Sequence, residues 1–459
     1  MGRFFPGSGN MAERNERLSQ WVKGRVDHGL WPYALVATAD LDAESEVVHP
    51  TGPTVKGINL TSVDYLGLAY DERLKEAAIR AIRDHGHHTP SSRPLAGHSP
   101  HAKALEASLT EFMGRRSVYL CSTGWAAAYT AVAGVVRRDD FVVMDELAHS
   151  SLQNGAYAST PNVQTFRHLD NEHLRSRLAA IREDNPKSGI LVMTEGLFSM
   201  DGDAPDMKGL VEVSKEYDAM VLVDVAHDLG STGPGGTGTI GVAGLLDDVD
   251  IIAGAFSKSF GTNGGFVSTK SSGVEWAQLC FGSPFTFSTG ISPVQIGVAA
   301  ESLAIVTSPE GDTRREAMMD NVLHIRAGAE ARGLGLFGHP SPIVPVNVGK
   351  ESHARLAGMF SFQAGLIATC LEFPVVQRGV ARYRLSLSPN YTKEMLDSAL
   401  DIIVDSIGPR SSALNWSVPP RSRRAQSRKA LRQLGATNSE GRRCRVGFPR
   451  IRRCQNCSI

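Results

Sequence analysis

From about residue 57 onward, short apolar runs alternate with longer segments whose apolar positions recur every three or four residues. The short runs read as buried strands and the longer ones as amphipathic helices. Their alternation predicts an α/β fold built on a mainly parallel, seven-stranded sheet. The strand candidates are Ser117–Leu120, Phe141–Met144, Val163–Phe166, Ile190–Thr194, Met220–Asp224, Ile251–Gly254 and Gly265–Ser268. Helical patterns at 124–136, 171–184 and 206–217 fill gaps between them. After Pro293 the pattern turns to long helices, then two further strand candidates, Ile367–Glu372 and Arg382–Leu387. A last helix over 393–406 gathers apolar residues 395, 396, 399, 400, 402 and 403 on one face. The expected organisation is an N-terminal arm (1–56), a large α/β domain (57–305), a smaller α+β domain (306–408) and a tail (409–459).

Charge separates the tail from the body. The 459 residues carry 48 Lys/Arg and 48 Asp/Glu, but 13 of the bases and a single acid, Glu440, fall in 409–459. The body is thus near −12 and the tail near +12. A block of like charge without a periodic apolar face stays solvated, so the tail is expected to be a disordered extension. Its charges are not interleaved with aromatics as a nucleic-acid platform requires, and Cys444, Cys454 and Cys457 are too few ligands for a zinc site. No nucleic acid and no metal are expected. Six cysteines, three of them in the tail, do not make a disulfide framework and suit a reducing compartment. The N-terminal segment has no secretory apolar stretch, Pro6 stands where a myristoylation signal needs Ser or Thr, and no apolar run approaches a membrane span. These features point to a cytoplasmic protein.

Ligands of open α/β sheets collect at the carboxyl ends of the strands, which directs attention to polar residues that close apolar runs. Asp224 closes MVLVD, and His227 follows within one turn. Such an aspartate can equally be a satisfied structural group. Lys258 sits in GAFSKSFG, an apolar, glycine-flanked turn where lost solvation makes the neutral amine accessible. Cys121-Ser122-Thr123-Gly124-Trp125 joins a strand to a helix, and the helix start offers backbone N–H groups to a phosphate. His149 follows another strand. A lysine able to form a Schiff base, an aspartate for a pyridinium nitrogen and a phosphate cradle together match the needs of pyridoxal 5′-phosphate (PLP).

With these residues in view, the chain resembles the α-oxoamine synthases, a branch of the fold type I PLP-dependent transferases. The resemblance covers about residues 57–407. It rests on DYLGL (64–68), STGWAA (122–127), DELAHSSL (145–152), TEGLFSMDGD (194–203), VDVAHDLGSTGPGGTG (223–238), GAFSKSFG (254–261), PFTFST (284–289) and ARYRLSLS (381–388). It implies that Lys258 is the Schiff-base lysine and the acid/base at the α-carbon, that Asp224 pairs with the pyridinium, and that His227 bonds the ring's phenolic oxygen. It further implies that His149 stacks on the ring and that Gly124 and Trp125 supply phosphate and ring contacts. Ser199 would lie beside the cofactor, Ser288 and Thr289 would reach the neighbouring subunit's phosphate in a homodimer, and Arg384 would take the amino acid's carboxylate. The implied reaction is a decarboxylative condensation of an amino acid with an acyl thioester, carried on CoA or an acyl-carrier protein, to give an α-amino ketone.

Several positions depart from the family pattern. Ala255 replaces a phosphate-binding Thr, Val225 an acidic residue, Asp64 an Asn and Asp228 a small residue, while Gly236 and Thr237 alter a polar-Gly-Arg neighbourhood. Two other readings share the motifs: a PLP enzyme of different outcome, such as an aminotransferase or aldolase, and a non-catalytic partner subunit of an active homologue.

Overall fold

The computed structural model describes residues 10–50, 52–114 and 117–408. The tail, with its basic clusters and three cysteines, lies outside the described residues. All seven expected strands form, each within one residue of its expected end, and they share one sheet. Across it the order is Ser117–Cys121, Gly265–Thr269, Ile251–Ala255, Met220–Asp224, Ile190–Glu195, Phe141–Asp145, Val163–Phe166. Neighbours are parallel except for Gly265–Thr269, which runs antiparallel to both of its partners. Side chains alternate between two cores, as the period of two demands. Val143, Val192, Val221, Val223 and Ile252 enter one apolar cluster. Val142, Met144, Leu191, Met193, Leu222 and Ala253 enter the other. Burial on both faces explains why these strands read as near-continuous apolar runs.

The smaller region corrects two expectations. Ile367–Glu372 is not one strand: Leu366–Ile367 pairs in parallel with Ile58 and Asn59, whereas Thr369–Leu371 pairs antiparallel with Ala381–Ser386. The chain leaves one sheet for another at Ala368, a switch invisible in an unbroken apolar pattern. The second correction is the strand Ile343–Gly349, which pairs with Ala381–Ser386 on the far edge of a three-stranded sheet. A third apolar core forms here from Val322, Ile325, Val344, Val346, Tyr383, Leu385, Leu396, Leu400 and Ile403. The strand Thr54–Asn59 runs across the expected arm boundary at 56/57 and pairs with Glu44–Val48. A Cβ on Gly57 would overlap the Gly365 carbonyl, so glycine lets these backbones close up. Among the described residues there is no helix long and apolar enough to cross a membrane and no cluster able to hold a metal.

Candidate active site

Three parallel strands deliver carboxylates to one edge of the large sheet. Asp145, Glu195 and Asp224 each close an apolar strand and are 1%, 4% and 7% exposed. Glu195 and Asp224 lie side by side in register. Burial raises both carboxyls, Glu195 well above its ordinary value, and Asp224 feels opposing attraction from Lys258 and His149. The backbone N–H of Ala226 donates to Asp224 Oδ1 at 2.9 Å, fixing the carboxylate at the strand end.

Lys258 follows the buried strand Ile251–Ala255, in the turn closed by the bond from Gly261 N–H to the Lys258 carbonyl. Desolvation pulls its amine below the usual lysine range, and Arg384 adds to this while Asp224 and Glu195 counter it. The neutral amine, a base and nucleophile, is thereby brought closer to physiological pH.

His149 caps the helix Ser150–Ser159, with Nδ1 2.7 Å from Ser151 Oγ. Burial lowers its pKa, and Asp224 and Lys258 both act on it. His227 is held well below its ordinary value, first by burial and then by Lys258, Arg384 and His149. Its Nδ1 lies 2.8 Å from the hydroxyl of Tyr65, a fully buried residue. Arg384 Nη2 donates to the same hydroxyl oxygen at 3.3 Å, which leaves the Tyr65 proton directed at His227. A neutral His227 that accepts at Nδ1 carries its hydrogen on Nε2. Burial pushes the Tyr65 hydroxyl up to about 12, so that proton stays in place.

Arg384 belongs to Ala381–Ser386, in the smaller region, and its Nε donates to the Ser199 carbonyl at 2.7 Å. Two strand positions earlier, Arg382 donates to Asp201 and to the Met200 carbonyl. The loop 196–203 is thus gripped residue by residue by one strand of the smaller sheet.

Thr123 caps the helix Gly124–Ala133 by accepting from Ala126 N–H at 3.0 Å. The first-turn N–H groups of Gly124 and Trp125 remain for an anion. A Cβ on Gly124 would overlap Ala255 Cβ, so this close approach of helix start and strand end needs glycine at 124. Trp125 is 46% exposed and stacks on Tyr129 with ring centroids 5.3 Å apart.

The structure therefore gathers Lys258, Asp224, His149, His227, Ser199 and Arg384 and sets the Gly124–Trp125 helix start against Ala255. It does not bring Ser288 or Thr289 into that cluster: Ser288 donates to the Pro284 carbonyl and Thr289 is exposed. Tyr65 and Glu195 were not singled out from sequence. Glu195 carries the same signal as Asp224, a carboxylate that ends an apolar strand. Tyr65 carries none beyond its place in DYLGL.

This donor set fits PLP. The cradle of small residues at a helix start suits a phosphate, the buried Asp224 suits a protonated ring nitrogen, and the Nε2 hydrogen of His227 suits a phenolic oxygen.

Comparison with known proteins agrees. The family model described as aminotransferase class I and II matches residues 55–403. The chain is 33% identical over 386 residues to 8-amino-7-oxononanoate synthase of Petrotoga mobilis, covering 84% of this chain and 96% of that one. It is 35% identical over 348 residues to the synthase of the same name from Fervidobacterium nodosum, covering 75% and 87%. Among solved structures, serine palmitoyltransferase of Sphingomonas wittichii superposes with a TM-score of 0.81 at 28% identity, covering 88% and 99%. The S. paucimobilis serine palmitoyltransferase, solved with a bound PLP–myriocin adduct, gives the same TM-score at 26% identity and the same coverage. With the matched model spanning most of its length and such relatives on either side, the chain belongs to the aminotransferase class I and II family and, within it, to the α-oxoamine synthases, PLP-dependent acyltransferases.

Proposed function

We propose that the chain joins an α-amino acid to an acyl thioester, on CoA or an acyl-carrier protein, with loss of CO2. The observation that carries this reading is the convergence of Lys258, Asp224, His149 and His227 in one buried cluster beside Arg384. Lys258 would hold the cofactor's aldehyde carbon, Asp224 its ring nitrogen, His227 its phenolic oxygen, His149 its ring face and the Gly124–Trp125 helix start its phosphate. When bound, PLP supplies an electron sink for the charge that develops at the amino acid's α-carbon.

The protein's own groups do the rest. Arg384, its plane fixed by the Ser199 carbonyl, binds the amino acid's carboxylate through its remaining N–H groups. The Lys258 amine takes the α-proton at Nζ, in a pocket whose burial lowers the amine's pKa and so favours its neutral form. The α-carbon attacks the thioester carbonyl, the C–S bond breaks to release the thiol, the carboxylate departs as CO2, and a proton returns to the α-carbon. Asp224 would supply the negative charge that holds the cofactor's ring nitrogen protonated. Ala255 offers no hydroxyl to the phosphate, which costs about 1 kcal/mol of cofactor binding relative to a threonine.

Ser288 and Thr289 act, in this reading, on the phosphate held by a second copy of the chain. Support comes from their separation from the cluster within one chain and from the neighbouring Trp276, Phe281 and Phe287, which are 65%, 60% and 86% exposed. A homodimer, the domain division at 305/306 and a cytoplasmic location belong to the same proposal.

The test supplies carboxyl-labelled amino acids together with acyl-CoAs of graded length. One labelled CO2 released per free thiol is expected. Formation of a keto acid without thiol release would favour an aminotransferase instead.

A further inference from the structure

His168 lies outside every role assigned so far, yet it sits between two of the segments that build the site. Its Nδ1 is 2.9 and 3.1 Å from the two carboxylate oxygens of Asp145, and its Nε2 is 3.3 and 3.2 Å from those of Asp203. A carboxylate only accepts, so both ring nitrogens donate and the ring is an imidazolium. Burial opposes that charge, but the hydrogen bonds and attraction of Asp145 and Asp203 overcome it and carry the pKa up to about 10. The other acid beside it, Glu146, accepts from the His168 backbone N–H at 3.3 Å.

What the two carboxylates belong to gives the contact its meaning. Asp145 ends the strand Phe141–Asp145 and also anchors the turn to His149, accepting from Leu147 N–H at 2.9 Å. Asp203 closes the loop 196–203 through a backbone bond from Phe198 N–H at 2.9 Å. Phe198 meets the His168 ring edge-on, with centroids 4.6 Å apart, and the next residue is Ser199, whose carbonyl orients Arg384. The charge also matters beyond the pair, because Asp145 repels Glu195 and adds to the forces that raise it.

We infer that His168 is a positioning residue: a permanently charged clamp that fixes the turn carrying His149 against the loop whose Ser199 carbonyl aims Arg384 at the substrate carboxylate. The inference rests on the roles given above to His149 and Arg384, but not on the outcome of the reaction. Removing the cation leaves the buried Asp145 and the partly exposed Asp203 carboxylates facing one another and loosens the loop. Arg384 then loses its aim while the thioester side of the site is untouched. A displacement of about 1 Å at such a group is enough for losses on the order of a hundredfold.

Two measurements test this. In the unmodified holoenzyme labelled with 15N-histidine, one ring should stay doubly protonated from pH 6 through pH 9, and its signal should vanish in His168→Gln. A neutral His168 at pH 7 would overturn the clamp without any variant. In His168→Gln, the amino acid's dissociation constant, read from the visible absorbance change of the bound cofactor, should rise at least about tenfold. KM for the acyl thioester should stay within about twofold. Unchanged amino-acid affinity in the folded variant, or an equal rise in both constants, would show that His168 serves only the fold. Because amino-acid binding is read without turnover, a wrong assignment of the condensation would leave this result intact.

Discussion

The strand-end cluster and the segment 276–289 treat water in opposite ways. Glu195, Ser199 and Asp224 are polar and at most 9% exposed, whereas Trp276, Phe281 and Phe287 are apolar and at least 60% exposed. Buried polar groups cost free energy unless something pairs with them, and exposed aromatics cost it unless something covers them. The first site finds its partners inside one chain, in Lys258, His149, Arg384 and a cofactor. Among the described residues the second has only the Arg137 guanidinium, 4.5 Å from the Phe281 ring centre, and a second copy would supply the rest of the cover. In the proposed reading, the chemistry is complete in a single chain and the phosphate end of the pocket is shared.

The largest expected effect lies in the first region. Lys258→Ala should abolish turnover while leaving the fold in place, and borohydride treatment of the unmodified holoenzyme should fix the cofactor to a peptide containing Lys258. A label on another lysine would remove the centre of the cluster. Next comes Asp224→Asn, which removes the charge opposite the ring nitrogen. Exchange of the amino acid's α-proton, followed by NMR in D2O, should fall by at least about a hundredfold. Near-normal exchange would mean that a different group holds the pyridinium.

The smallest effect sharpens the contrast by looking beneath the cluster. Asp228 is fully buried, accepts from Thr239 N–H at 2.7 Å and Thr239 Oγ1 at 2.6 Å, and finds no partner for Oδ1 among the described residues. Burial pushes its carboxyl from the ordinary 3.8 up to about 6, against the pull of the Thr239 bonds. Because the folded value is the higher one, its stabilisation is complete below pH 3.8 and is lost as pH rises through 6. The loss is on the order of 3 kcal/mol. Denaturant unfolding between pH 4 and 8 should show that decline in the unmodified protein and a flatter curve in Asp228→Asn, whose amide cannot ionise. Parallel curves would place the titration elsewhere.

How much of this was legible in sequence depends on what each residue's neighbours are. The seven-stranded sheet could be read because its strands are buried on both faces and separated by helices. Ile343–Gly349 could not, because Pro345 interrupts it. Proline survives there only because the strand lies at the edge of its sheet. Asp224 and Lys258 announced themselves by interrupting apolar surroundings, and Glu195 could have been found by the same rule. His168 and Tyr65 carry no local signal, since their side-chain partners stand 23 and 35 residues away for His168 and 162 and 319 for Tyr65.

The claim that the chemistry is complete in one chain while the phosphate end is shared is tested most directly by hybrid dimers. Two variants are needed, Lys258→Ala and Ser288→Ala combined with Thr289→Ala, each inactive or weak as a homodimer. Co-expressed hybrids, isolated with two affinity tags, contain one site with an intact Lys258 from one chain and intact Ser288 and Thr289 from the other. They should recover about half of the unmodified dimer's turnover, one working site of two. Hybrids no more active than the better parent would show that Ser288 and Thr289 serve the site of their own chain, and would contradict the account.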